Sequence, residues 1–305
     1  MLRDMKMKAE LILDSKSILG EGAFWNSETG SLHWVDIEGK KLHEYDPTTG
    51  LNKTLELDGR PGTVVPCRTS GVVAAVERSI MKFPGKSDRT EIDAAAAVDP
   101  VEICFFNEEP QSNRLNDGKC DPAGRLWVGT ISEDRSPTAT LYRVEPDGSF
   151  KAMLKSVTVS NGIVWTADER TMYYIDTPTG CVQAFDYHKD SGEISRPRIA
   201  FRIPEDFGHP DGMTIDSESM LWIALFRGCA VRRFDPGNGA LLATVELPVS
   251  NVTSCALGGP DLQDLYITTA RSGLNQDAAA RQPAAGGLFH ARVEVCGIPQ
   301  PLFAD

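Results

Sequence analysis

The sequence predicts an all-β protein, a six-bladed β-propeller with four-stranded blades around a central channel. Six strand-like runs rich in Val, Ile, Leu, Thr and Trp start 39 to 54 residues apart along the 305-residue chain. A spacing of about 40 to 50 residues is typical of propeller blades. Helix signals are weak, and Pro100 ends any helix that the Ala94–Ala97 run could begin. The six runs are Leu32–Ile37, Gly71–Glu77, Arg125–Ile131, Thr171–Thr177, Met220–Phe226 and Asp264–Ala270.

Most of these runs are followed by a second strand-like segment, in which an apolar and an aromatic residue alternate before a turn. Lys41–Pro47 and Ala230–Pro236 show this pattern, and the turns that follow contain Asp, Pro and Gly. Alternation bounded by such turns indicates β-hairpins. A large β-sandwich is the alternative, but a sandwich does not require an aromatic–Asp–turn unit at a nearly fixed period.

The ends of the chain are expected to complete the ring. The strand at Ala9–Leu13 should pair with the last blade, which closes the ring and removes an exposed edge. Residues 1–8 are expected to be disordered or a short extension, and Gly273–Ala285 to be a loop inside the last blade. Because no linker or low-complexity segment divides the sequence, we expect a single propeller domain over residues 1–305.

Composition and charge exclude several classes of partner. The chain has 31 Lys and Arg against 43 Asp and Glu, a formal charge of −12, which argues against nucleic acid. No apolar run approaches the roughly 18–20 residues that cross a bilayer, so no membrane partner is expected. The seven cysteines are scattered without a CxxC motif, which indicates reduced thiols and a cytoplasmic location. We expect a monomer or a small homo-oligomer.

A polar residue near a glycine recurs before four of the strand-like runs: Glu21, the Arg114/Asn116 cluster, Asn161 and Asp211. Each alone is a common turn residue, and the polar cluster alone is by default a solvated loop. In a radial fold, however, residues at the same place in each blade meet on the axis. Carboxylate and amide oxygens suit Ca²⁺, Mg²⁺ or Mn²⁺, with Fe²⁺ or Zn²⁺ possible. No histidine spacing supports a zinc site of the His/Cys type.

Five ordered motifs, within residues 10–305, make the chain resemble the senescence-marker-protein/gluconolactonase/luciferin-regenerating-enzyme family. This family includes regucalcin and bacterial sugar-lactone hydrolases, and its fold is a six-bladed propeller. Each motif is weak alone, but their order and spacing are compatible with the family. The motifs are Leu19–Trp25, Arg114–Lys119 with Asp121–Trp127, Ser160–Gly162, Pro210–Gly212 and Gly258–Asp261.

The resemblance implies a metal site. Glu21, Asn161 and Asp211 match the family's metal ligands, which implies one divalent cation, with Ca²⁺ the first expectation and Zn²⁺, Mn²⁺, Mg²⁺ or Fe²⁺ as alternatives. A bound cation would polarise the lactone carbonyl and stabilise the developing oxyanion. Asp211 is the expected catalytic residue, placed to accept a proton from the attacking water. A cation lowers a carboxylate's pKa, so its contribution would lie mainly in orienting that water.

The resemblance also implies substrate-binding residues. Arg114 and Asn116 match the family's substrate-contacting pair, and the planar guanidinium suits sugar hydroxyls or the ring oxygen. A further substrate-binding Glu of the family falls at Asp134, one methylene shorter, with Glu133 beside it. This difference leaves open which of the two residues makes the contact and which sugar is preferred.

The predicted function is hydrolysis of a sugar lactone to the aldonic acid. Two alternatives stay open: a hydrolase of other esters or organophosphates at the same site, or a non-catalytic, calcium-binding, regucalcin-like protein. Arg114 and Asn116 disfavour the second alternative, because a pure metal site has no use for an arginine beside its ligands. Lys119 is interpreted as an external loop charge, and Asp117 as a turn residue or a group behind the ligands.

Overall fold

Six β-sheets follow one another along the chain and form a ring, which confirms the predicted six-bladed propeller. The computed structural model describes residues 5–85 and 99–305. The innermost strand of each sheet contacts that of the next sheet, and the sixth contacts the first. Blade 1 contains β3 (Gly20–Asn26), β4 (Ser31–Asp36), β5 (Lys41–Asp46) and β6 (Leu51–Glu56). Blade 2 contains β7 (Pro61–Pro66), β8 (Val72–Val76), β9 (Ser79–Phe83) and β10 (Val101–Phe105). Blade 3 contains β11 (Asn113–Cys120), β12 (Leu126–Ser132), β13 (Ala139–Val144) and β14 (Phe150–Val157).

The second half of the ring repeats this order. Blade 4 contains β15 (Ser160–Trp165), β16 (Thr171–Asp176), β17 (Cys181–His188) and β18 (Glu193–Arg202). Blade 5 contains β19 (His209–Ile215), β20 (Leu221–Phe226), β21 (Ala230–Phe234) and β22 (Leu241–Glu246). Blade 6 contains β23 (Val252–Gly258), β24 (Asp264–Thr269), β25 (Leu288–Arg292) and β2 (Glu10–Leu13). The apolar cores lie between neighbouring blades, where strand faces pack together.

A buried aspartate at the end of the innermost strand builds the first turn of blades 3 and 5. Asp121 accepts hydrogen bonds from the backbone of Ala123 and Arg125, and from the Trp127 indole. In blade 5 the backbone turn and the indole of Trp222 bond to Asp216 in the same way. The same carboxylate therefore ends one strand and anchors the tryptophan of the next.

The N-terminus joins two different blades. Strand β2 pairs with β25, so the predicted closure of the last blade by residues 9–13 is confirmed. Residues 1–8 were expected to be disordered or a short extension, and residues 5–8 form a short ordered extension, β1 (Met5–Lys8), parallel to β22 in blade 5. Backbone pairing to β22 orders this segment, whose Met-Lys-Met-Lys alternation covers only four residues. Residues 1–4 and the Ala94–Ala97 run lie outside the described residues.

Two further elements were not predicted. The Gly273–Ala285 loop contains a short helix, α1 (Gln276–Arg281), whose first turn is capped by the Asn275 side chain. After β25, the chain runs along the carboxyl ends of the innermost strands as a C-terminal crossing segment, residues 297–305. Gly297 bridges to Asp216 in blade 5 and Phe303 bridges to Cys67 in blade 2.

Within residues 5–85 and 99–305, none of the helices has both the length and the apolar character that crossing a membrane requires.

Candidate active site

The polar motifs lie inside the innermost strands, and not in turns before a strand as the sequence suggested. Each of these strands shifts register against its neighbour at the motif, the feature of a β-bulge. A bulge re-aims side chains that regular alternation would send to the sheet faces. The shifts fall between Glu21 and Phe24, Leu115 and Gly118, Asn161 and Ile163, and Pro210 and Met213.

These strands bring five of the six predicted site residues to one cavity of about 430 Å³ at the amino ends of the innermost strands. All five are buried, with at most 7% of their surface exposed. A volume of this size is ordinary for a small-molecule site. The five residues are Glu21, Arg114, Asn116, Asn161 and Asp211.

Asp134, the sixth predicted residue, lies on the exposed turn after β12. Its carboxylate accepts hydrogen bonds from the hydroxyls of Ser132 and Ser136. The neighbouring Glu133 forms an ion pair with Arg60 at 2.8 Å. The residue of this turn that lines the cavity is Arg135. The turn thus presents a guanidinium to the cavity, while the role of Asp134 in substrate binding stays a prediction.

A hydrogen-bonded chain fixes the amides of the site. The guanidinium of Arg114 donates to Asn116 Oδ1 at 2.8 Å, and Asn116 Nδ2 donates to Asn161 Oδ1 at 3.1 Å. Asn161 Nδ2 in turn donates to the Thr177 hydroxyl, which donates to the carbonyl of Pro210. Because Asn161 Nδ2 is engaged, its Oδ1 is oriented as an acceptor within the site.

Three buried carboxylates crowd the floor of this site. Burial raises the pKa of Glu21, Asp117 and Asp211 above the usual range. Repulsion adds to burial, since Asp117 acts on Glu21, and both act on Asp211. One oxygen of Asp117 and one of Asp211 are buried without a hydrogen-bond partner among the described residues. The floor therefore holds more negative charge and more acceptors than its protein partners satisfy.

The interpretation of Lys119 as an external loop charge is wrong. Its side chain is buried, and its ammonium donates to the backbone carbonyl of Met213. Burial lowers its pKa, while Asp117 acts in the opposite direction. Lys119 lies just after the bulge of β11, and its ammonium offsets part of the carboxylate charge in the channel. The sequence shows Asp117 and Lys119 only as members of a polar cluster, so their burial could not be foreseen.

The donor set fits a hard divalent cation. The described residues contain no cluster of three His, Cys, Asp or Glu side chains arranged around a metal position. A site here would combine the carboxylates of Glu21 and Asp211 with the amide oxygen of Asn161, all oxygen donors. The orphaned oxygen of Asp211 and the excess negative charge agree with such an ion.

Comparison with known proteins places the chain among related propellers. A family model described as "SMP-30/Gluconolactonase/LRE-like region" matches residues 19–271. The chain is 37% identical over 301 residues to "Putative sugar lactone lactonase YvrE" of Bacillus subtilis, covering 98% of this chain and 100% of that protein. It is 40% identical over 297 residues to regucalcin of Danio rerio, covering 96% and 97% of the two chains.

A solved structure shows the same fold. The chain aligns with a structure described as a calcium-binding protein, regucalcin, from Agrobacterium tumefaciens, with a TM-score of 0.90 and 24% identity. The alignment covers 100% of both chains. This likeness concerns the fold.

Proposed function

This chain belongs to the SMP-30/gluconolactonase/LRE-like family, and we propose that it hydrolyses a sugar lactone to the aldonic acid with one divalent cation. Family membership and the similarity to a protein named as a sugar lactone lactonase support lactone hydrolysis in general. The observation that carries the metal-dependent form is the pair of buried carboxylates, Glu21 and Asp211, beside Arg114 and Asn116.

In this proposal the floor of the cavity binds the ion and its wall binds the sugar. Glu21, Asn161 and Asp211 would hold the cation, which supplies polarisation of the lactone carbonyl and stabilisation of the developing oxyanion. Asp211 would also orient the attacking water beside the ion and accept its proton. Arg114 would donate hydrogen bonds to ring hydroxyls, and Asn116, whose amide hydrogens are donated to Ser160 and Asn161, would accept one through its Oδ1. These contacts would fix the carbonyl relative to the floor.

Calcium is the first candidate ion, because Glu21, Asn161 and Asp211 offer only oxygen donors, whereas His209, the histidine that also lines the cavity, is exposed. The calcium-binding description of the Agrobacterium tumefaciens regucalcin is in line with this choice. Zn²⁺, Mn²⁺, Mg²⁺ and Fe²⁺ are the alternatives. All seven cysteines are unpaired, which supports a reducing, cytoplasmic location.

The test is an assay of acid release from D-glucono-1,5-lactone, corrected for spontaneous opening. We expect the purified protein to accelerate the reaction, chelation to abolish this acceleration, and Ca²⁺ or another of these cations to restore it. The same series on Asp190→Asn, in the exposed turn after β17, serves as a control for handling.

Two results would contradict the proposal in different ways. Full activity of a chelated, metal-free preparation would remove the cation from the mechanism. No acceleration of this lactone or of other aldonolactones with any of the cations would leave the calcium-binding alternative as the better account.

A further inference from the structure

We propose that the preferred substrate is a sugar lactone bearing an anionic group, a carboxylate or a phosphate, on the part of the sugar remote from the lactone carbonyl. This inference rests on the proposed function and names the substrate class of the same cavity. It follows from the distribution of charge along the cavity, from floor to mouth.

The cavity has opposite charges at its two ends. Its floor contains the carboxylates of Glu21 and Asp211, the side chains assigned above to the cation. Its walls and mouth contain three arginines, Arg114, Arg135 and Arg227. Arg114 is buried within the wall, whereas the other two are exposed at the mouth. A substrate whose carbonyl faces the floor would place its other end between the guanidiniums.

The two arginines at the mouth have no carboxylate partner within ion-pair distance among residues 5–85 and 99–305. Arg60, near the same mouth, shows the contrast, because Glu38, Glu77 and Glu133 all surround its guanidinium. The protein therefore surrounds Arg60 with three carboxylates but places none within ion-pair distance of Arg135 or Arg227 in the described part of the chain. A guanidinium with free donors is well suited to a carboxylate or phosphate.

Backbone conformation does not explain these arginines. Arg135 and Arg227 both have left-handed backbones, with φ of 61° and 63°. Glycine adopts this conformation without strain, so a turn alone gives no reason for a bulky side chain at either position. Both residues nevertheless line the same cavity from different blades, one after β12 and the other after β20.

The turn after β12 adds a second argument. The family resemblance assigned a substrate-binding carboxylate to this turn, at Asp134. In the structure Ser132 and Ser136 hold that carboxylate, and Arg135 faces the cavity. A wall that would accept hydrogen bonds from sugar hydroxyls is thus replaced by one that donates them and carries a positive charge. Neutral sugars lose an acceptor by this exchange, whereas anionic sugars gain a partner.

The test compares lactones matched in ring size. D-Glucaro-1,4-lactone is compared with D-glucono-1,4-lactone for the carboxylate, and 6-phospho-D-glucono-1,5-lactone with D-glucono-1,5-lactone for the phosphate. We expect kcat/KM to favour the anionic member of at least one pair by about tenfold or more, the usual effect of a charge-assisted hydrogen bond. The pair that shows the preference identifies the anionic group.

Variants assign the effect to the two arginines. Arg135→Gln and Arg227→Gln should each lower the anionic-to-neutral ratio of kcat/KM by about three- to tenfold, and the double variant by about 10- to 100-fold. Arg170→Gln, an exposed arginine in the turn between β15 and β16, is the matched control and should leave the ratio unchanged. Titration calorimetry gives an independent binding measurement: glucarate should bind more tightly than gluconate, and this difference should shrink in the double variant.

The outcomes separate this inference from the proposed function. If the protein opens neutral lactones as well as or better than both anionic ones, or if the ratios are the same in the double variant, the inference is wrong and the lactonase proposal stands. If no lactone of either kind is opened, both are wrong.

Discussion

At the scale of single residues, the channel floor is a place where function and stability oppose each other. Burial raises the pKa values of Glu21, Asp117 and Asp211, and repulsion from neighbouring carboxylates raises those of Glu21 and Asp211 further. One buried lysine, Lys119, and the wall arginine Arg114 offset only part of this charge. Without a cation the floor is therefore a source of instability, and a bound cation would remove it.

Asp211→Asn tests this opposition, because it removes one charge and keeps the shape of the side chain. In chelator-treated protein we expect the variant to be more stable than wild type by about 1 kcal/mol, measured by chemical denaturation. The substitution removes the cost of burying this carboxylate and relieves its repulsion with Glu21. Its lactonase rate should fall by about 10²–10⁴-fold. A variant that is destabilised without metal, or that keeps the wild-type rate, would contradict the role given to Asp211.

At the scale of elements, the bulged innermost strands position the site residues at their amino ends, and the C-terminal crossing segment connects the carboxyl ends of these strands. Leu302 and Phe303 pack into the apolar core between blades 2 and 3, and Phe303 is 1% exposed. Backbone hydrogen bonds join Phe303 to Pro66, and Ala304 to Gly124. Nine C-terminal residues thus connect blades that are far apart in the sequence.

Phe303→Ala should lower the free energy of unfolding by about 3–5 kcal/mol, because it leaves a cavity in a well-packed core. Phe150→Ala is the matched control: this ring packs on Phe106 of the same core but is 40% exposed, so its loss should cost clearly less. Denaturant titration of both variants measures the difference. Equal losses would show that the crossing segment contributes no more than a surface ring.

The sequence predicts the outer strands of the blades better than the innermost ones, for a physical reason. Second strands such as β12 carry a visible run of apolar and β-branched residues. Strand β11 reads Asn-Arg-Leu-Asn-Asp-Gly-Lys-Cys, yet all eight residues are buried, because one face meets the core and the other lines the channel. Such a strand has no apolar alternation, so its sequence looks like a solvated loop.

Other elements depend on contacts that are distant in sequence. Strand β1 is ordered by pairing with β22, and the crossing segment by bridges to blades 2 and 5. The sequence predicted those site residues that appear as a polar residue in one of the recurring motifs. That Arg135 lines the cavity could not be predicted from the sequence. It depends on the hydrogen bonds by which Ser132 and Ser136 hold the carboxylate of the adjacent Asp134.

At the scale of the whole molecule, the closed ring buries groups that would otherwise titrate near neutral pH. His33 in β4 is completely buried, and His43 in β5 stacks on Trp34 with ring centroids 3.9 Å apart. Burial lowers the pKa of His33 to about 3 and that of His43 to about 4. Both are therefore neutral in the folded protein and become protonated when it unfolds below about pH 6.5.

This difference predicts that acid weakens the fold through blade 1. Because the folded pKa values lie below the unfolded one, the contribution is complete above about pH 6.5 and is lost as the pH falls toward 4 and 3. Between pH 7.5 and pH 5, each histidine should account for a loss of about 2 kcal/mol. Denaturation of His33→Gln over this range should show a shallower pH dependence than wild type.

The comparison of variant with wild type cancels the contribution of the channel carboxylates, whose pKa values burial raises. His188→Gln, an exposed histidine at the end of β17, should retain the wild-type pH dependence. An unchanged slope in His33→Gln would show that this histidine is not held neutral by the fold.

Bound divalent cation and lactonase rate, measured together on chelated protein titrated with Ca²⁺ and then with the alternative cations, show whether the ion in the channel is required for the reaction. We expect one functional ion per chain, with the rate rising in proportion to occupancy and reaching its plateau at one equivalent. Asp211→Asn and Glu21→Gln should lose both the ion and the rate, while Asp190→Asn keeps both. Full lactonase activity at zero occupancy, or an undiminished ion and rate in both channel variants, would show that these carboxylates do not hold a catalytic ion.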